Sequence, residues 1–70
     1  MRTFHLERLY DASGISGTGI VAEGVEFQDG TVVLHWLSEH SSTGIYNTMT
    51  DVVKIHGHNG ATIVVPTYGD

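Results

Sequence analysis

Apolar and polar residues alternate most clearly between Thr18 and Ser38, TGIVAEGVEFQDGTVVLHWLS. Two strand-like runs flank Asp29-Gly30, a dipeptide typical of two-residue type I′ hairpin turns, because both central residues of that turn need positive φ. Such a turn predicts a register with three cross-strand pairs: Phe27 with Val32, Glu26 with Val33, and Val25 with Leu34.

Side chains of a strand point alternately to the two faces of its sheet, so this register predicts an apolar face and a mixed face. The apolar face comprises Val25, Phe27, Val32, Leu34 and Trp36, and the mixed face Glu26, Val33 and His35. Strict alternation would also bury Glu23. We therefore expect a β-bulge at Glu23-Gly24, which turns Ile20 and Ala22 inward and Val21 and Glu23 outward.

Further strands are predicted on either side of the hairpin. Thr3 to Leu9 alternates with Phe4 and Leu6 inward, and Ser42 to Tyr46 forms a fourth strand with Ile45 inward. The glycine-rich segment between the first two strands is a loop, in which Ile15 packs under the sheet and Gly17 and Gly19 provide either positive φ or a close approach of the backbone.

A short helix is predicted from Met49 to His56. Thr48 caps its N-terminus with Asp51 three residues later, and Gly57 occupies the position of a left-handed C-cap. Asn59-Gly60 marks another turn. Thr62 to Val65 is the last strand, and Pro66 ends it because proline has no N–H to donate.

These elements predict a mainly β fold in a single domain, residues 1–70. We expect a five-stranded SH3-like barrel or a strongly bent antiparallel sheet, with one short helix before the last strand. The alternative is an open antiparallel sheet that carries the helix on one face.

The formal net charge of −5 disfavours a nucleic-acid partner, because an acidic surface repels phosphate. No apolar run approaches the roughly 20 residues of a membrane span, and the N-terminus does not resemble a signal peptide, so a cytoplasmic location is expected. The chain has no cysteine. Small domains often gain stability by self-association, which leaves a homodimer open.

Five histidines are the one unusual feature of the composition. Imidazole is a zinc ligand, so His35, His56 and His58 are candidate metal ligands, with His5 and His40 in reserve. The simpler interpretation of His56 is that it packs on the sheet or interacts with the helix C-terminus. Serine, histidine and acidic residues occur in no catalytic motif, so neither an enzyme nor a bound cofactor is expected.

Four side chains are candidates for binding a protein: Tyr10, Glu23, Glu26 and Tyr68. Tyrosine is frequent at binding hot spots, and the acidic residues suit a basic partner. Trp36 is expected to be buried, because it lies on the apolar face of its strand.

Three short patterns, SGISGTG, EGVEFQDGT and HGHNG, stand together with Trp36 in this chain. In these patterns the sequence resembles a group of short, mostly uncharacterised proteins of actinobacteria, haloarchaea and their phages, over Phe4 to Val65. The resemblance implies a stand-alone accessory protein and, for a phage protein, a modulator of a host protein that acts in the host cytoplasm. The leading hypothesis is therefore a non-catalytic binding module, and the alternative is a histidine-based metal-binding protein.

Overall fold

A computed structural model describes residues 1–10, 18–38 and 41–67, except the side chain of His58. The elements along the chain are β1 (Arg2–Arg8), β2 (Gly19–Glu26), β3 (Val32–Trp36), β4 (Thr43–Tyr46), α1 (Met49–His56), a 3₁₀ turn (His58–Gly60) and β5 (Thr62–Pro66). The prediction of a mainly β chain with one short helix before its last strand is confirmed.

All five strands form one antiparallel sheet in the order β4-β3-β2-β1-β5. β1 to β4 follow one another as a meander, and the chain then returns through α1 so that β5 lies beside β1. In the described part of the chain the sheet is open, with β4 and β5 at its two edges. The structure thus corresponds to the open sheet with a helix on one face, and closure into an SH3-like barrel is not confirmed.

The hairpin between β2 and β3 differs from the prediction by one residue. The Phe27 N–H donates to the Thr31 carbonyl at 2.8 Å, and the Gly30 N–H donates to the Phe27 carbonyl at 3.0 Å. Gly30 has a φ of 95°. The loop therefore has three residues and places its glycine in the left-handed region, a common alternative to the two-residue turn. The pairs that result are Glu26 with Val32, Val25 with Val33, and Gly24 with Leu34.

A shift of one residue exchanges the two faces of a strand, so the predicted apolar face is correct for the β3 residues and wrong for the residues that precede the turn. Val32 and Leu34 are buried and Trp36 packs against them, as predicted. Val25 and Phe27 instead lie on the opposite side of the sheet, whereas Glu26 shares the side of Val32.

β2 contains a bulge, but at a different position from the predicted one. Leu6 pairs with Ala22 and Glu7 with Ile20, so the extra residue is Val21 and not one of Glu23-Gly24. Ala22 is buried and Glu23 is exposed, as predicted, whereas Ile20 is exposed and Val21 packs against the core. A bulge here lets Val21 and Ala22 both point inward.

The core lies between α1 and one face of the sheet, which we call the inner face. Its buried members are Phe4, Leu6, Ala22, Val32, Leu34 and Val52. Phe4 and Leu6 were predicted correctly. Ile45 was not: it pairs with Val33, is 76% exposed and points to the other face.

Gly24 is fixed by close packing on the inner face. It pairs with Phe4, whose ring lies over it, and a Cβ on Gly24 would meet Phe4 Cζ at 2.7 Å and the Val33 carbonyl oxygen at 2.5 Å. A glycine is therefore required for β1, β2 and β3 to approach one another under the aromatic ring.

The helix α1 has the predicted bounds and the predicted cap. The Asp51 N–H donates to the Thr48 side-chain oxygen at 3.1 Å, and Val52 is the buried residue of the helix. The left-handed cap at Gly57 was wrong. Gly57 has a φ of −72° and its N–H continues the helix to Val53 O at 2.8 Å.

Positive φ occurs two residues later, at Asn59 (56°) and Gly60 (93°), where the predicted turn is found. Gly19 also has the expected positive φ, 99°. The predictions for Ile15 and Gly17 lie outside the described residues.

Candidate functional site

The face of the sheet turned away from α1, called here the outer face, is not covered by any element of the described residues. The strand registers assign twelve residues to it: Thr3, His5, Glu7, Ile20, Glu23, Val25, Val33, His35, Thr43, Ile45, Ile63 and Val65. Half of these side chains are apolar, and the three isoleucines are all exposed. A sheet face that only contacts water is ordinarily polar, so this composition is unusual.

The middle of the outer face forms an open groove of about 500 Å³. Ile20, Val25 and Val33 give it an apolar lining, and His5, Glu23 and His35 line it as well. We call these six residues the outer groove.

A row of polar side chains crosses the outer groove at right angles to the strands. Glu23 on β2 pairs with His5 on β1 and with His35 on β3, so the carboxylate lies between two imidazoles. The Nδ1 atom of His35 is 2.8 Å from the Thr43 hydroxyl, which continues the row to β4. The hydrogen bond to Thr43 orients the His35 ring on the sheet surface.

His5 is held less completely. Its Nε2 is buried and has no hydrogen-bond partner in the described part of the structure, and it lies 3.6 Å from Glu7 Oε1. That separation is too long for a hydrogen bond.

The charge on the outer face is negative. Glu7 and Glu23 point to it, whereas the two arginines of the sheet, Arg2 and Arg8, occupy the inward phase of β1 with Phe4. Lys54, the third basic residue of the chain, lies on α1. The outward strand positions therefore contain neither lysine nor arginine.

A second cluster of polar and aromatic groups lies on the inner face, where α1 ends against β3 and β4. The Tyr46 hydroxyl and His56 Nε2 are joined by a hydrogen bond of 2.8 Å. The His56 ring meets Trp36 edge to face, with the ring centroids 4.8 Å apart, and meets Tyr46 at 5.7 Å. These contacts dock the helix on the sheet, which agrees with the simpler interpretation of His56 and with the expected position of Trp36 on the core side.

The three histidines predicted as metal ligands are not brought together. His35 lies on the outer face and His56 contacts Trp36 on the inner face, so the sheet separates the two. Within the described residues, no three histidine, cysteine or acidic side chains form a group that could hold a metal ion. The side chain of His58, like the residue His40, is outside the described part.

The three predicted protein-binding residues that the structure describes, Tyr10, Glu23 and Glu26, do not lie on one face of the sheet. Glu23 lies in the outer groove, Tyr10 is exposed beyond the end of β1, and Glu26 is half-buried on the inner side of its strand. Tyr68 is outside the described residues. The joint acidic face of Glu23 and Glu26 was therefore wrong, because the true register separates them.

The sequence interpretation missed the apolar lining of the groove. Val25 was assigned to the core, and Ile20 was turned inward by the misplaced bulge. A reading of Gln28-Asp29-Gly30 as a three-residue loop would have placed Val25 beside Val33 on the outer face.

Fold and site together define a small antiparallel β protein with one face closed by a helix and the other open. The chain belongs to the family of Acb5 phage proteins, whose family model matches residues 1–67. No curated protein and no solved structure matches the chain. The family match confirms the phage part of the resemblance noted in the sequence, and its actinobacterial and haloarchaeal part stays a prediction.

No helix among the described residues is long and apolar enough to cross a membrane.

Proposed function

We propose that this phage protein is a non-catalytic binding module that docks a host protein on its outer face and thereby modulates that protein. The observation that carries the proposal is the uncovered outer groove, where apolar side chains surround a single carboxylate. Groups of exposed apolar side chains with polar neighbours are typical of protein-interaction sites.

The apolar part of the groove supplies the affinity in this proposal. Ile20 is 55% exposed, and Val25 and Val33 are half-buried beside it. A partner that covers them removes apolar surface from water, at about 25 cal/mol for each Å² buried. An extended segment with an apolar side chain every second residue would follow the strands along this floor.

The charge of the groove selects the partner. Glu23 is the acidic residue at its centre, Glu7 lies nearby on β1, and the whole chain carries a net charge of −5. We therefore expect a partner whose contact surface combines apolar residues with lysine or arginine, since opposite charges accelerate association and exclude acidic competitors.

The test compares two substitutions of the same kind on opposite sides of the molecule. Ile20→Lys places a charge in the outer groove, and Ile55→Lys places one on α1, where the isoleucine is 57% exposed. Wild-type protein, both variants and Glu23→Lys are immobilised and exposed to a lysate of the phage's host. We expect Ile20→Lys and Glu23→Lys to lose a host protein that Ile55→Lys retains.

The retained protein is then purified and titrated calorimetrically at increasing salt. Binding that weakens with salt for wild type, and at least tenfold for Glu23→Lys, supports a basic contact surface. Absence of any retained host protein, or equal retention by Ile20→Lys and Ile55→Lys, contradicts the proposal.

A further inference from the structure

We propose that β4 is a self-association edge: two copies of the chain pair antiparallel along β4, around a two-fold axis at Gly44, to form one continuous ten-stranded sheet. This contact uses main-chain groups at the edge of the sheet and is separate from the outer groove.

Every second residue of β4 points its backbone N–H and C=O groups away from β3, where no described strand pairs with them. The Trp36 N–H donates to the Ser42 carbonyl at 2.9 Å, so the other residues of β4, Gly44 among them, exchange hydrogen bonds with β3. The alternate residues Thr43 and Ile45 then point their N–H and C=O groups away from β3. In the described part of the chain no strand lies on that side of β4.

The opposite edge of the sheet, β5, has few backbone N–H groups free to pair with another strand. The Leu9 N–H donates to Ala61 O at 2.7 Å and the Thr67 N–H to Thr3 O at 3.0 Å, so Thr62, Val64 and Pro66 are the residues of β5 that face outward.

Two of these three positions offer no free donor. The Thr62 N–H donates to Gly57 O at 3.1 Å, and Pro66 has no N–H. Capping and proline are ordinary means of blocking a sheet edge. β4 (TGIY) contains neither proline nor lysine, and the described structure gives its outward donors no cap.

A second copy fits the open edge because the edge is complementary to itself. With Gly44 on the two-fold axis, Thr43 of one copy faces Ile45 of the other, and each of these two pairs exchanges two hydrogen bonds. β4 has no charged residue, so two chains of net charge −5 meet there without like charges in contact.

Gly44 suits the axis for a steric reason. Residues that face each other without hydrogen bonds are the closest pair in an antiparallel ladder, and glycine has no side chain to collide there. The two copies keep the same face of the sheet on the same side, so Ile45, 76% exposed in one copy, is covered by its neighbour's Thr43.

The contact is small. Two four-residue strands bury less than the about 800 Å² per partner of a standard interface, so we expect an equilibrium between monomer and dimer that depends on protein concentration.

Sedimentation equilibrium over micromolar to millimolar protein measures this equilibrium directly. Wild type should shift from 7.6 kDa towards twice that mass as the concentration rises. Ile45→Lys places a charge at the open edge. Ile63→Lys makes the same change on β5, where the isoleucine side chain also lies on the outer face but the backbone N–H and C=O groups face β1. We expect Ile45→Lys to weaken dimerisation at least tenfold and Ile63→Lys to leave it unchanged.

Ile45→Pro removes one outward N–H without removing a hydrogen bond to β3, and should also give a monomer. Circular dichroism checks its folding, and if it does not fold, Ile45→Lys decides the question.

Amide hydrogen exchange locates the contact. The Thr43 and Ile45 amides should be protected at high concentration and exchange freely at low concentration. Three outcomes each overturn the proposal: a wild-type monomer at every concentration, equal loss of the dimer in Ile45→Lys and Ile63→Lys, or a dimer whose Thr43 and Ile45 amides stay unprotected.

Discussion

The two faces of the sheet are built from the same five strands, yet α1 covers only one of them. Val32 and Val33 are neighbours in β3 and chemically identical, but Val32 is fully buried under the helix side and Val33 is half-buried in the outer groove. Both faces contain valine, and the outer face contains isoleucine as well. What distinguishes the two faces is α1, which covers the apolar side chains of the inner face and leaves those of the outer face exposed or half-buried.

The polar residues of the two faces also differ in how far the rest of the structure contacts them. On the inner face, His56 is fixed by Tyr46 and Trp36. On the outer face, Glu23 pairs with a histidine on each neighbouring strand. The polar groups on the helix side dock α1 on the sheet, whereas Glu23 and His35 in the outer row are exposed.

The largest expected effect is on the free energy of unfolding, and it distinguishes Leu34 on the inner face from its neighbour Val33 on the outer face. Leu34→Ala creates a cavity on the inner face, where Leu34 is fully buried, and should cost about 2–5 kcal/mol of unfolding free energy. Val33→Ala on the outer face should cost less than about 1 kcal/mol, because water already reaches that side chain. Urea denaturation followed by circular dichroism measures both. Equal losses would show that the outer face is packed as tightly as the inner one.

A smaller effect is expected where three strands approach at Gly24. Gly24→Ala introduces a methyl group against the Phe4 ring and the Val33 carbonyl, and should destabilise the protein by about 1–3 kcal/mol, since backbone has to move. Glu23→Ala, one residue away on the exposed outer face, serves as the control and should change stability by less than about 0.5 kcal/mol. An unchanged denaturation midpoint in Gly24→Ala would contradict the close packing described here.

The smallest expected effect on stability concerns the loop between β2 and β3, which sets the register of the hairpin. The Thr31 N–H donates to Asp29 Oδ1 at 2.9 Å, and this bond, aided by the Thr31 side chain, lowers the pKa of the Asp29 carboxyl below its usual 3.8. The carboxylate therefore stabilises the folded state fully above pH 3.8, and this contribution is lost as the pH falls through the lowered pKa of the folded state.

Thermal melts of wild type and Asp29→Asn test this loop. Wild type should melt slightly higher at neutral pH, and the difference should shrink in acid. A difference in melting temperature that grows as the pH falls would contradict the stabilising role of the Asp29 carboxylate.

The helix and the core residues of β1 could be predicted from the sequence alone. The helix was found with its bounds because its signals are local: Thr48, Asp51 and the apolar spacing act within two turns. Phe4 and Leu6 were placed correctly because β1 alternates without interruption over Thr3 to Glu7.

The hairpin register was missed because Asp29-Gly30 is compatible with loops of two and of three residues. The choice between them depends on how Phe4 packs over Gly24 and how the bulge at Val21 fits against Leu6, which are contacts between distant parts of the chain. The register decides which face each residue occupies. Glu23 and Val33 were therefore predicted on the outward face correctly, whereas Ile20 and Val25 were assigned to the core.

The place of β5 beside β1 has a consequence for synthesis. β1 is translated before β5, so until Thr62–Pro66 has left the ribosome one side of β1 lacks its partner strand. During that interval the nascent chain exposes an unpaired backbone edge along β1. Completion of the sheet, and with it protection from misassembly during translation, therefore depends on the synthesis of β5.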